Sequence, residues 1–270
     1  MARPPPPAAP PLDRPPLDRH ALYELCTQTT ERDVPLLRAI HGGAPRVLGE
    51  DFAGTAALSR TWVRLVRGGR AIAVDHDAEP LARAAGVRRV ERHVADVTAV
   101  RARCDLLVAF NFSIGEWHAR AELLHYLRHA RARLAKGGLF ACDLYGGAGA
   151  FTPGVLHETR RLPDGATVRY SWEQRRADRL THEVENALHF RLTPAGGGKP
   201  LALRDAFVYR WRLWSLPELR DALREAGFAA SEVWSRFEHA IDGRGRLHPL
   251  RHATGDELPD DWCVFVVGRR

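Results

Sequence analysis

"VLGEDFAGTAALS", Val47 to Ser59, decides how this 270-residue chain is read. It runs from an apolar strand through a short turn into a helix, in which Leu58, Trp62, Leu65 and Val66 recur at helical spacing until Gly68 and Gly69 stop it. A turn that seats a pyrophosphate on the helix N-terminus needs several glycines for close backbone approach. Here Gly54 alone stands within the turn, so a dehydrogenase is disfavoured. As a signal a single glycine also fits a plain strand-to-helix turn.

Upstream, "RHALYELCTQ" and "DVPLLRAIHGG" read as short helices, the second closed by Gly42 and Gly43, and lead into the strand "PRVLGE". Downstream follow the strand "RAIAVDHD", the helix "EPLARAAG", a strand near "RVERHVAD", the buried strand "DLLVAFN", a long helix from Glu116 to Lys136, and a fifth strand "GGLFACDLY". Strands alternating with helices predict an α/β, Rossmann-like, doubly wound and mainly parallel sheet, with ligands at the carboxyl ends of the strands. From Pro153 to Trp214 the pattern changes to alternating, aromatic-rich segments, "ATVRYSWEQ", "HEVENALHF" and "RDAFVYRWRLW", which predict an inserted antiparallel sheet after the fifth strand. Ser215 and Glu218 then make a capping-box spacing for "LPELRDALREAG", Gly227 ends that helix, and "SEVWSRF" and "WCVFVVGRR" close a seven-stranded sheet.

The apolar content of 45% supports one sizeable core. Residues 1–18 are expected to be a disordered, proline-rich arm, and residues 19–270 one domain in which 153–214 form an inserted lid. No apolar run reaches the ~20 residues that cross a bilayer, and prolines stand where a signal peptide would have its apolar stretch, so a cytoplasmic protein without membrane partners is expected. Cys26, Cys104, Cys142 and Cys263 are scattered, without zinc-site or disulfide spacing; no metal is expected. The net charge of +7 is carried by arginines spread along the chain, with only Lys136 and Lys199 as lysines. That dispersal reads as GC-rich coding bias, and nucleic acid is not the expected partner.

Three carboxylates stand at successive strand ends. Asp75 closes the second strand, where it can accept both hydroxyls of a ribose or cap the next helix; Asp77 fits the cap better. Asp96 follows the third strand, after Glu50 at the end of the first. Asn111 ends the fourth strand in "AFNFSIGEW", aimed at the cleft or engaged in a local turn.

Over residues 20–270 this order of elements and motifs resembles the class I S-adenosylmethionine-dependent methyltransferases. In that family an acidic residue ends the first strand and a G-x-G-x-G turn follows; Glu50 holds the acidic place, and Phe52, Gly54 and Ala56 hold the glycine places. The resemblance implies S-adenosylmethionine as cofactor, bound by Glu50, Phe52, Ala53, Gly54 and Thr55 in the turn, by Asp75 and His76, by Asp96 and Val97 at the adenine edge, and by Asn111 near the methionine end. "ALYELCTQ", "EDFAGTAALS", "NFSIGEWHAR", "DLYGG", "SWEQR", "LHF" and "WRLW" are similar to a bacterial subgroup of these enzymes, which usually has cysteine where this chain has Ala53. That subgroup implies no particular acceptor.

Methyl transfer is an in-line displacement whose rate comes largely from alignment and exclusion of water. An amine or hydroxyl acceptor also loses a proton, for which His189 and Glu173 in the inserted sheet are the candidate bases, with Tyr23 and Tyr145 as positioning groups. Trp172 and Tyr209, with Phe207 and Trp211, either line an acceptor pocket or pack the sheet, and a lone histidine on a strand also serves as a structural hydrogen bonder. The reading is a small-molecule methyltransferase, monomeric or homodimeric. Its alternatives are an RNA or protein methyltransferase, for whose base-directed forms "NFSI" lacks the proline-rich turn, and a non-catalytic cofactor binder.

Overall fold

The computed structural model describes residues 17–270, so the arm expected at 1–18 lies, through residue 16, outside the described residues. Asp18 is already structural: its carboxylate accepts the Ala21 N–H and caps helix α1, Arg19–Thr27. Helix α2 follows at Thr30–His41 and closes on Gly42 at φ 76°.

Eight strands form the large sheet: β1 Val47–Asp51, β2 Arg70–Asp75, β3 Val90–Val94, β4 Cys104–Ala109, β5 Leu134–Gly147, β10 Ala230–Ile241, β11 Leu247–His252 and β12 Asp261–Arg269, in the order β11-β10-β12-β5-β4-β1-β2-β3. The five strands from β3 to β5 pair in parallel, and β12, β10 and β11 continue antiparallel. Strand β11 is an eighth strand beyond the seven expected. Its sequence, "LHPLRH", carries a proline and charges that suit an outer edge and hide a strand signal.

Chain order reverses between β1 and β4, which opens a crevice at their carboxyl ends. Alternating residues of the central strands feed two apolar layers. Leu106 and Val108 pack with Val34, Leu37 and Trp62 of α2 and α3 (Ala57–Leu65) on one face. On the other, Leu107 and Phe140 pack with Leu123, Leu127, Leu219 and Leu223 of α5 (Arg120–Arg133) and α6 (Leu216–Glu225). A four-residue helix, α4 Ala78–Leu81, follows β2. Among the described residues no helix is long and apolar enough to cross a membrane.

The helix expected from Glu116 is shorter, because its first residues are pulled out of register by the insertion. The Trp214 indole donates to the Trp117 carbonyl at 3.1 Å and Arg212 to the His118 carbonyl at 2.9 Å, so α5 begins only at Arg120. At the other end Leu134 to Lys136 already belong to β5. The capping box at α6 forms as the spacing predicts, with Ser215 N–H donating to Glu218 at 2.9 Å.

Between β5 and α6 the chain builds a separate antiparallel sheet, β6 Gly154–Arg161, β7 Thr167–Ala177, β8 Glu183–Thr193 and β9 Leu201–Arg212, paired in that order. One face is apolar. Val168 and Phe190 pack on Leu22 and Cys26 of α1, while Val184 and Trp211 pack with Phe112 and Tyr145 from the ends of β4 and β5. The second sheet thus faces the crevice and α1 together.

Candidate active site

The turn after β1 holds three residues in the left-handed region, Phe52 at φ 56°, Gly54 at 51° and Ala56 at 54°. These are the three glycine places of the resembled family. A left-handed conformation costs an L-residue about 1–2 kcal/mol, so the geometry persists against the preference of two of its residues. Phe52 offsets that strain by packing its ring 5.9 Å from Tyr126 and 6.2 Å from Trp117. Ala56 is fully buried against Ala53, Ala73, Leu81 and Ala84.

Two hydrogen bonds stitch this turn to the end of β2: Ala53 N–H donates to the Val74 carbonyl at 3.0 Å, and Gly54 N–H to the Asp75 carboxylate at 2.6 Å. A side chain on Gly54 would meet no atom within 4 Å, so the turn is open on that side. The Thr55 hydroxyl is buried beside it without a partner.

Asp75 also accepts the Asp77 N–H at 2.9 Å, with the exposed His76 ring 3.8 Å away. Asp77 in turn accepts Glu79 N–H and caps α4, so Asp75 is not the cap. Asp96 accepts both the N–H and the hydroxyl of Thr98, and those bonds hold its carboxyl below the usual range; the Val97 side chain points into the core. Glu50 is buried and accepts Ser59 N–H at 2.7 Å; desolvation pushes its carboxyl up to about 7. The adjacent Asp51 faces the opposite layer, paired with Arg133 at 2.7 Å and accepting from Tyr126 at 3.1 Å.

After β4, Asn111 and Phe112 both lie near φ 60°. Their N–H groups donate to one carboxylate, Asp143 on β5, at 3.1 and 2.7 Å. Asp143 is fully buried and ion-paired with Arg236 of β10, itself 6% exposed. Asp33 of α2 lies in the same charged group, its carboxyl raised chiefly by burial. Gln28, Thr30, Asp33, Glu50, Asn111 and Arg236 line one cleft.

Where the ends of β4 and β5 meet the second sheet stands an aromatic wall. Phe112 meets Tyr145 at 4.9 Å, Trp211 at 5.9 Å and Trp172 at 6.1 Å, and Tyr209 stacks on Trp211 at 4.5 Å. The fully buried Asn186 amide donates to the Tyr145 hydroxyl at 3.3 Å. The Tyr23 hydroxyl approaches that of Tyr209, and the Tyr23 ring meets Phe207 at 5.1 Å. Burial pushes the phenols of Tyr23 and Tyr145 up to about 12 and raises that of Tyr209 well above its ordinary value. All three therefore stay protonated at neutral pH, able to orient a ligand but not to remove its proton.

His189 and Glu173 are not brought to this cleft. Successive strand residues point to opposite faces, and Trp172, Leu188 and Phe190 occupy the inner one. On the outer face His189 Nε2 lies 3.0 Å from Glu173, and Nδ1 accepts the Asp205 N–H at 3.0 Å. Arg175 bridges Glu173 and Asp205. Glu173, His189 and Asp205 place ligand-type atoms within 4.8 Å of one another, but the guanidinium already neutralises both carboxylates. Both ring nitrogens are engaged, and the group forms an ion-pair cluster on the outer face of the sheet.

Sequence reasoning passed over Asp143 and Arg236. The signal was present: each is a charge inside a strand of otherwise buried residues, "LFACDLY" and "EVWSRF", and such charges are paired when buried.

Neither a protein-family model nor a curated protein matches the sequence. Solved structures match its fold. A S-adenosylmethionine-dependent methyltransferase from Clostridium acetobutylicum is 12% identical with a TM-score of 0.63, over 92% of this chain and 96% of that one. CalS10, an amino pentose methyltransferase from Micromonospora echinaspora, is 18% identical with a TM-score of 0.62, over 93% and 95%. KedS8, a sugar N-methyltransferase from Streptoalloteichus, is 18% identical with a TM-score of 0.63, over 100% and 98%. The chain has the fold of the S-adenosylmethionine-dependent methyltransferases.

Proposed function

We propose that the chain is an S-adenosylmethionine-dependent methyltransferase acting on a small molecule that bears an amine. The observation that carries this reading is the first turn, which keeps a left-handed backbone at all three family glycine places, is bonded to Asp75, and is open beside Gly54. Those residues fit the cofactor: Asp75 has lone pairs left for a ribose diol, Asp96 and the Val97 backbone stand at the next strand end, and Glu50 and Asn111 line the cleft beyond. When bound, S-adenosylmethionine supplies a sulfonium methyl open to in-line attack. The residues of this chain bind, orient and exclude water.

An acceptor would sit between the turn and the aromatic wall. Phe112, Tyr145, Trp172, Tyr209 and Trp211 supply flat apolar faces with phenol donors at their edges, which suits a ring carrying a few polar groups. CalS10 acts on an amino pentose and KedS8 is a sugar N-methyltransferase, which favours an amino sugar for this fold. An amine gives up its extra proton to water before its lone pair attacks, and the product leaves as the methylated ammonium, so the outward position of His189 is no obstacle.

The test is transfer of a labelled methyl group to a panel of amino sugars, their hydroxyl analogues and RNA. Label on the amino sugars and not on the analogues is expected. Label confined to RNA, or no transfer to anything by protein that binds the cofactor, would replace this reading with one of its alternatives.

A further inference from the structure

We propose that Gln28 and Arg236 clamp the α-amino-acid head group of the bound cofactor, Gln28 taking its ammonium and Arg236 its carboxylate; the inference rests on the S-adenosylmethionine reading above. Both residues line the cleft at the carboxyl ends of β1 and β4. Gln28 closes α1 in an extended conformation, its own N–H bonded to the Glu24 carbonyl, and its side-chain oxygen is buried without a hydrogen-bond partner. Arg236 spends one terminal nitrogen on Asp143, and its Nε is likewise buried without a partner. The Cys263 thiol, which the guanidinium also approaches, is a weak acceptor.

One cleft therefore holds an orphaned atom that can only accept and an orphaned group that can only donate. Buried polar groups are normally paired, with protein, with water or with a ligand, and two complementary ones facing a single cleft suit a ligand that carries both charges. An inorganic anion would satisfy Arg236 and leave Gln28 without a donor. A zwitterion satisfies both, and the electrostatics give it one orientation. Its ammonium lies toward Gln28 and the carboxylates of Asp33 and Glu50, and its carboxylate toward the guanidinium. The adenosine half is held elsewhere, at Asp75 and Asp96, so the two halves of the cofactor are recognised by separable groups.

That separation makes the test. Calorimetry compares S-adenosylhomocysteine, which carries the head group, with 5′-methylthioadenosine, which lacks it. Wild-type protein is expected to bind the former about 30-fold or more tightly, and Gln28→Leu and Arg236→Lys each to weaken it about tenfold or more while leaving 5′-methylthioadenosine within about twofold. The lysine keeps a positive charge opposite Asp143 but cannot reproduce the Nε–H. Should that variant not fold, Gln28→Leu, at the end of a helix, decides alone. Unchanged discrimination in Gln28→Leu overturns the clamp. Equal wild-type affinity for the two nucleosides overturns the clamp and leaves the cofactor assignment standing; binding of neither overturns both.

Discussion

Replacing Asp143 by asparagine removes a charge from a carboxylate that holds three partners at once: Arg236 and the N–H groups of Asn111 and Phe112. The arginine is 6% exposed and would lose its ion pair, keeping only Asp33 as a neighbouring negative charge, a loss of up to about 3–5 kcal/mol. Asparagine offers one carbonyl to two left-handed N–H donors, and its NH₂ opposes the other, which adds about 1–3 kcal/mol. The sum is a large part of a typical stability of about 5–15 kcal/mol, so Asp143→Asn should be marginally folded. Pairing it with Arg236→Met removes the stranded charge and should recover about 3 kcal/mol or more, leaving the N–H penalty. Urea denaturation followed by circular dichroism measures both, with the slope m confirming that the denatured state is unchanged. A loss below about 1 kcal/mol in the single variant, or a double variant no more stable than the single, would show that this ion pair does not organise the turn after β4.

Glu50 gives a pH signature. Its folded-state carboxyl, near 7, exceeds the ordinary 4.5, so between these values the native state binds more protons than the unfolded state and stability falls as pH rises, by roughly 3 kcal/mol for this group. Glu50→Gln should flatten that slope, gaining stability over wild type at pH 8 and little at pH 4; parallel melting curves for the two proteins would refute it. At the first turn, Gly54→Val should weaken S-adenosylhomocysteine binding about tenfold or more at a stability cost of about 1–2 kcal/mol from its left-handed backbone, since a Cβ there meets no atom within 4 Å. Ala53→Cys should stay within about threefold, and equal effects would make the turn purely structural. His189→Ala should change stability by no more than about 1 kcal/mol and leave methyl transfer intact, whereas Trp172→Ala lowers transfer with cofactor affinity preserved. A tenfold fall in transfer by His189→Ala would return the base to the outer face.

The parallel half of the sheet was legible because its strands are short apolar runs between amphipathic helices, and tertiary contacts agree with that local pattern. The long helix from Glu116 was misjudged at both ends. Its first residues are held by Arg212 and Trp214, nearly a hundred positions away, which no local spacing reveals. The outward position of His189 is legible in its neighbours. Leu188 and Phe190 are apolar on either side, and Trp172 and Gln174 flank Glu173, so the period of two turns His189 and Glu173 to the outer face. The first turn shows the reverse case. Its lost glycines read as a weakened site, whereas the backbone keeps the glycine conformation because Phe52 and Ala56 gain packing that offsets their strain. That compensation lies in Trp117, Tyr126 and Leu81, outside the motif.

The most direct measurement is equilibrium binding of S-adenosylhomocysteine and NAD to the wild-type chain and to Asp75→Ala, each checked for folding by its melting curve. The account predicts one molecule of S-adenosylhomocysteine bound per chain, no NAD, and a loss of about tenfold or more in Asp75→Ala, because that carboxylate is bonded to the first turn and is the proposed acceptor for the ribose hydroxyls. Binding of NAD in its place, or undiminished S-adenosylhomocysteine affinity in a folded Asp75→Ala, would contradict it.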